Sequence, residues 1–291
     1  MRSYRHPEDL RSMQELARRI WSPASQCHIG DLAWGRRQHL GREHEWPTAL
    51  WEDDGEVIAW GWAQTADSLS LLVDPTRPEA ADEVLRWFHD TAGEGPLTIS
   101  VLEHEEHLIT ALEHHGYTRD DTAPGYRYMR HDLTGLPDPV LPAGFTARPV
   151  HGPEDAPRRA AVHQEAWHPS RVTADSYRSV MDTWPYRSDL DWIVETPDGD
   201  FAASCLIWLD DHHRTGELEP VGTAPRHRRR GLARAVCLAA LHALREAGAI
   251  QAIVYPLQGD PAHPGAYPLY ESLGFVPYAR TLTYVRGERV R

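Results

Sequence analysis

Arg228-Arg229-Arg230-Gly231-Leu232-Ala233 lies between a strand-like run, Glu217 to Thr223, and a long alanine-rich stretch that reads as a helix. An arginine, two residues, a glycine, one residue and a small residue at such a junction form a pyrophosphate cradle. The loop's N–H groups and the positive end of the helix point at one spot. Gly231 and Ala233 are small enough for a phosphate to approach the main chain. Arg226, Arg228, Arg229, Arg230 and Arg234 form a local cationic island that can add charge-assisted contacts. A nucleic-acid patch or a solvated helix start would also be basic, but the Gly/Ala spacing favours a diphosphate-bearing ligand.

Composition narrows the rest. The chain has 291 residues, enough for two domains of ordinary size, and 41% hydrophobic content for their cores. No apolar run reaches membrane-spanning length, and Met1-Arg2-Ser3-Tyr4-Arg5 lacks the apolar core of a secretory signal. A cytoplasmic protein without membrane attachment is expected. Cys27, Cys205 and Cys237 form no CxxC pair and read as buried thiols. The net charge of −13 argues against a nucleic-acid partner and weakly favours cationic small molecules. The chain has no lysine and no asparagine. The missing lysine excludes Schiff-base chemistry and a Walker P-loop.

One unit is used twice. His6-Pro7-Glu8-Asp9 resembles Gly152-Pro153-Glu154-Asp155, each opening a helix with acidic residues. A hairpin turning at Gly55 has its counterpart around Gly199. Leu71 to Pro75 parallels Val221 to Pro225, and Ala111 to Tyr117 parallels Leu269 to Phe275. The offset grows from 150, between Pro75 and Pro225, to 158, between Gly116 and Gly274. Part of that surplus falls at the arginine/glycine loop. The first copy runs from Pro75 through Thr76-Arg77-Pro78 straight into its helix, without a cradle. Leu133 to Gly144 holds three prolines and two glycines and suits a connector. The expected division is therefore 1–132, a linker at 133–144, and 145–291.

In the second copy the pattern predicts strands over Phe145–Val150, Leu190–Glu195, Phe201–Leu209, Gly216–Thr223 and Ala249–Tyr255. Helices are predicted within Glu154–Trp167 and over Ala174–Met181, Gly231–Ala247 and Ala266–Leu273, with a closing ribbon Phe275–Arg286.

This order resembles the GCN5-related N-acetyltransferases. The resemblance rests on Arg228-x-x-Gly231-x-Ala233, on the late helix with its Gly274-Phe275 turn, and on the central strand Gly216 to Thr223. The two copies are similar to the tandem members of that family, the type to which mycothiol synthase belongs, in which the first copy is often degenerate. The resemblance implies an α/β (α+β) fold of two tandem domains, each a mixed, mostly antiparallel sheet flanked by helices. It also implies acetyl-CoA as co-substrate, held by Val221, Gly222, Thr223, Arg228, Arg229, Arg230, Gly231, Leu232, Ala233 and Arg234, with a small-molecule amine as acceptor. Tyr270 matches the family's general acid, and Glu217 matches a glutamate that handles substrate. The family's asparagine before the late helix is missing, with Gln258-Gly259-Asp260-Pro261-Ala262-His263-Pro264-Gly265 in its place.

Read as residues, Glu217 and Glu219 lie two apart on one strand and share a face, so either can take a proton from an amine, unless they are a solvent-facing pair. A phenol such as Tyr270 stays protonated at neutral pH and can donate, unless it is only a packed helix residue. Without turnover, the same features would serve a non-catalytic acyl-CoA-binding protein. The eighteen histidines make no metal-ligand pattern. His104-Glu105-Glu106-His107 is one residue short of HExxH, and Asp210-Asp211-His212-His213 reads as a hairpin tip, so no metal is expected. Trp21, Trp34, Trp60, Trp62, Trp184 and Trp208 read as core, with some lining an acceptor pocket between the copies.

Overall fold

The computed structural model describes residues 1–23, 25–259 and 264–287. The first half contains β1 (Arg2–Ser3), α1 (Pro7–Ile20), α2 (Ile29–Arg37), β2 (Thr48–Asp53), β3 (Glu56–Thr65), β4 (Ser68–Val73), α3 (Ala80–Thr91), β5 (Leu97–Leu102), α4 (Glu106–His114), β6 (Thr118–Arg119) and β7 (Arg127–His131). The second contains β8 (Thr146–Pro149), α5 (Ala156–Ala166), α6 (Ala174–Met181), β9 (Asp191–Glu195), β10 (Phe201–Asp210), β11 (Thr215–Thr223), α7 (Leu232–Glu246), β12 (Gln251–Val254), α8 (Ala266–Leu273) and β13 (Val276–Arg286). Asp54 and Gly55 both take left-handed φ, as the tight β2–β3 hairpin requires. All ten residues of β10 are buried, as its mostly apolar sequence favours, and α7 packs across it. Gly216 lets α7 close in, because a Cβ there would lie 2.6 Å from both Leu244 methyls.

Two separate sheets are the expectation; the structure instead joins them. The strand order is β1-β2-β3-β4-β5-β13-β7-β12-β11-β10-β9-β8, with β6 pairing β13 off that path. β7, from before the connector, pairs antiparallel with β12, His131 opposite Ala252. β13, at the other end of the chain, pairs through its first residues with β7 and through Thr281–Arg286 with β5. The halves therefore exchange terminal strands. The sequence pattern shows that these strands exist but carries no label for their partners, because alternation specifies a face and not a neighbour.

In each half one parallel pair opens. β4 and β5 are in register at Ser68↔Thr98 and Leu69↔Ile99, and β11 and β12 from Thr215↔Gln251 to Glu217↔Ile253. On its other side β11 is irregular. Leu218 faces Ile207 and Val221 faces Cys205, so Glu219 and Pro220 together oppose Leu206 in a bulge. Proline is tolerated where a ladder donor is not needed. Trp208, fully buried, braces the bulge by donating from Nε1 to the Glu219 carbonyl at 2.7 Å.

Because hydrogen-bonded strands cross between the halves, cutting the connector should not separate them. A protease site placed at the exposed Pro137–Val140 stretch and cleaved to completion is expected to leave two fragments that co-elute in gel filtration. Elution as two smaller species would contradict the exchanged pairing.

Candidate active site

Both halves line one cavity of about 1300 Å³ that runs from the loop before α7, past the opened end of β11, to the faces of α2 and β3. At the loop end Gly231 has φ +78 and starts α7 with no side chain capping it. The first-turn N–H groups of α7 thus have no partner within the helix and none from a cap. His227, Arg228, Arg229, Gly231, Leu232, Ala233 and Arg234 line this end. Arg228 is steered by the carbonyls of Ala166 (3.3 Å) and Thr223 (3.4 Å), and Arg234 donates to the Ser272 carbonyl at 2.6 Å. Arg230 is placed differently. Its guanidinium lies over the Phe145 ring at 4.7 Å, off the cavity wall. Arg226 pairs with Glu165 at 2.6 Å.

Val221, Gly222 and Thr223 form the adjoining wall. A Cβ on Gly222 would come within 2.7 Å of the Ala166 methyl, so only glycine keeps this passage open. Thr223 Oγ1 and His227 Nδ1 are buried and have no hydrogen-bond partner among the described residues. Unpaired buried polar atoms cost free energy, so a ligand that supplies partners is stabilised here. A pyrophosphate and its polar tail fit this end: free helix N–H groups, arginines, a left-handed glycine and orphaned polar atoms face the same space. The segment Asp260–His263, which replaces the family's asparagine, lies outside the described residues.

The carboxylates are not a solvent-facing pair. Glu217 is 1% exposed and Glu219 half-buried, and both line the cavity. Asp31, in the first turn of α2, joins them, with oxygens of all three within 4.8 Å of one another. This is the one converging group of metal-ligand type among the described residues. Burial, then the Asp31 and Glu219 charges, push the Glu217 carboxyl well above its usual range; burial and Asp31 do the same to Glu219. Glu217 Oε2 sits 3.1 Å from His28 Nδ1, which also accepts from the Gly30 N–H. Burial drives the His28 ring down to about 4, so it is neutral at physiological pH. A Cβ on Gly30 would meet Glu217 Oε2 at 2.6 Å, which is why α2 can press against β11.

Tyr270 on α8 is 6% exposed, packs against Phe275 at 5.8 Å between ring centroids, and lines the cavity. Burial, with Cys237, Cys205 and Glu219 nearby, raises its phenol well above 10, so it stays a proton donor.

Sequence reading misses Asp31, because an acidic residue in a helix's first turn reads as dipole and cap chemistry; here it also bonds the His28 N–H at 2.8 Å. Of the tryptophans, Trp34, Trp60, Trp62 and Trp167 line the cavity, while Trp184 sits at the surface beneath Arg11, 3.4 Å from its ring centroid. Glu105 is 3% exposed, accepts from the Leu102 and Gln26 N–H groups, and is pushed by burial up to about 7.

Residues 159–275 match the model of the family described as Acetyltransferase (GNAT) family. A mycothiol acetyltransferase from Segniliparus rotundus is 32% identical over 169 residues, covering 52% of this chain and 59% of that protein. One from Streptomyces scabiei is 29% identical over 271 residues, covering 86% and 83%. The chain thus spans little more than half the length of some curated relatives it matches, such as the S. rotundus protein and another from Rhodococcus erythropolis, at 54%. Among solved structures, a GCN5-related N-acetyltransferase from Sphaerobacter thermophilus is 18% identical, covers 98% of this chain and 96% of its own, and superposes with a TM-score of 0.63. A tandem GNAT protein from the clavulanic acid biosynthesis pathway is 15% identical, with coverages of 98% and 97% and a TM-score of 0.64. At these identities the structural likeness establishes the fold.

The raised Glu217 has a sign that can be measured. A carboxyl whose folded-state pKa exceeds its unfolded value makes folding favour the protonated form, so stability is lost as pH rises above the ordinary carboxylate range. Glu217→Gln removes that loss. The variant is expected to melt above wild type at pH 8, by about 2–4 °C per kcal/mol recovered, with the gap shrinking towards pH 5 in thermal denaturation. A gap that widens on acidification would contradict the assignment.

Proposed function

We propose that the chain is an acyl-CoA-dependent N-acyltransferase that moves an acetyl group directly to an amine of a small molecule, a reading supported by the match of residues 159–275 to the Acetyltransferase (GNAT) family. The observation that carries the proposal is that a phosphate cradle, an opened strand pair and a buried carboxylate pair share one cavity. In this reading residues 145–291 hold the donor, 133–144 connect, and 1–132 are a degenerate copy. In that copy Arg77 is engaged by Asp53 and Glu79.

Acetyl-CoA, the donor of this family, brings an activated thioester. The residues do the rest. The N–H groups at Gly231, Leu232 and Ala233, with Arg228, Arg229 and Arg234, bind the pyrophosphate; Arg230 adds charge from further off. The opened β11 edge at Val221–Thr223 orients the donor's arm towards the carboxylates. Glu217, with Glu219 beside it, takes the proton the amine sheds; its raised pKa makes it a stronger base than an exposed glutamate. Tyr270 holds a proton for the departing thiolate.

Three results are expected. Gly231→Asp puts a β-carbon at a left-handed φ and a negative charge on the phosphate path, and should weaken acetyl-CoA binding at least about 10-fold in calorimetry. Unchanged affinity refutes the cradle. Glu217→Gln should lower kcat/KM by about 10²–10⁴ in a CoA-release assay with an amine panel, without changing acetyl-CoA affinity; Tyr270→Phe should lower kcat.

A further inference from the structure

The first half of the chain forms the far wall of the cavity, and that wall carries polar atoms that no group among the described residues satisfies. Trp60 and Trp62 lie two apart on β3 and so face the same side. They are 2% and 4% exposed, line the cavity, and their Nε1–H groups have no acceptor among the described residues. An indole N–H is a donor only. A buried indole normally finds a partner, and two adjacent ones that do not are a pattern, given that Trp208 in the same sheet is satisfied by the Glu219 carbonyl.

The rings are held in place. Arg36 is sandwiched between Tyr4 and Trp62, 4.3 Å from each ring centroid, and donates to Thr48 Oγ1 at 2.7 Å. Gly35 of α2 touches the far edge of Trp62, where a Cβ would come within 2.8 Å of Cη2. Asp31 and Gly35 are one turn apart on the same face of α2, a rise of about 6 Å. The rim of the Trp62 ring and the carboxylate of Asp31 therefore meet α2 about one helical turn apart along one wall.

Resting on the acyltransferase reading, we infer that Trp60 and Trp62 determine acceptor specificity: they receive an oxygen of an amine substrate that carries a hydrogen-bond-accepting group about one helical turn from its reacting nitrogen. The amine end meets Asp31, Glu217 and Glu219, and the oxygen end meets the two indole N–H groups. A hydroxylated or carbonyl-bearing amine satisfies both ends. A plain alkylamine leaves the indole donors unpaired. A diamine is worse, because its second ammonium presents only donors to donors.

The test uses the intact protein and three ring-matched probes: trans-4-aminocyclohexanol, cyclohexylamine and trans-1,4-diaminocyclohexane. Binding is followed by ligand-observed NMR without cofactor, and kcat/KM by CoA release. The amino alcohol is expected to bind at least about 5-fold more tightly than cyclohexylamine, as one net hydrogen bond provides, and to lead in kcat/KM by a similar factor. The diamine is expected to be the weakest. Trp62→Phe, which keeps an aromatic ring and removes the N–H, should erase the alcohol's advantage while cyclohexylamine and acetyl-CoA affinities stay as in wild type. Equal binding of alcohol and alkylamine by wild type, which needs no variant to fold, overturns the inference, as does a preference for the diamine. Absence of acetyl-CoA binding would instead sink the acyltransferase reading, while probe binding still decides the specificity of the wall.

Discussion

The parting of β11 from β12 beyond Glu217 is the constraint on which the rest depends. Up to that point the two strands satisfy each other; past it, the β11 edge has no paired strand on that side among the described residues. Backbone polar groups removed from water need partners, so an opened edge inside a fold is tolerable where a ligand completes it. Pro220 removes one such donor, the bulge turns the strand, and Trp208 secures it from behind. The same opening brings Glu217 and Glu219 to the floor of the cavity and aims β11 at the loop that precedes α7.

The second copy alone would leave that cavity one-sided. α2 of the first half closes it, held against β11 through Gly30, and brings Asp31 into contact with the glutamates. Exchange of terminal strands fixes the halves relative to one another, so the distance from cradle to far wall is set by the sheet and not by the connector. On the proposed function, the first half serves as the wall that an acceptor meets.

Much of the second half was legible in its residues. Helices 174–181 and 266–273 fall where periodicity predicts them, and the left-handed Gly199, Gly231 and Gly274 stand at the turns their positions require. These are local signals. The exchange of β7 and β13 was not legible, because alternation does not name a neighbour. Asp31 was hidden by having an ordinary explanation as a cap residue. Arg230, expected in the cradle from its spacing, lays its guanidinium over the Phe145 ring, a contact that spacing does not show. Burial of Glu217 could not be read either, since alternation gives a face and tertiary packing decides what covers it.

The central claim is that one cavity, built by both halves, holds donor and acceptor together. A crystal structure with acetyl-CoA tests it most directly. The account predicts the pyrophosphate on the N–H groups of Gly231 to Ala233 and the thioester in the β11–β12 opening, facing Glu217 and Tyr270, with open space leading to Trp60 and Trp62. A nucleotide seated in the first half, or a thioester pointing away from the carboxylates, would contradict it.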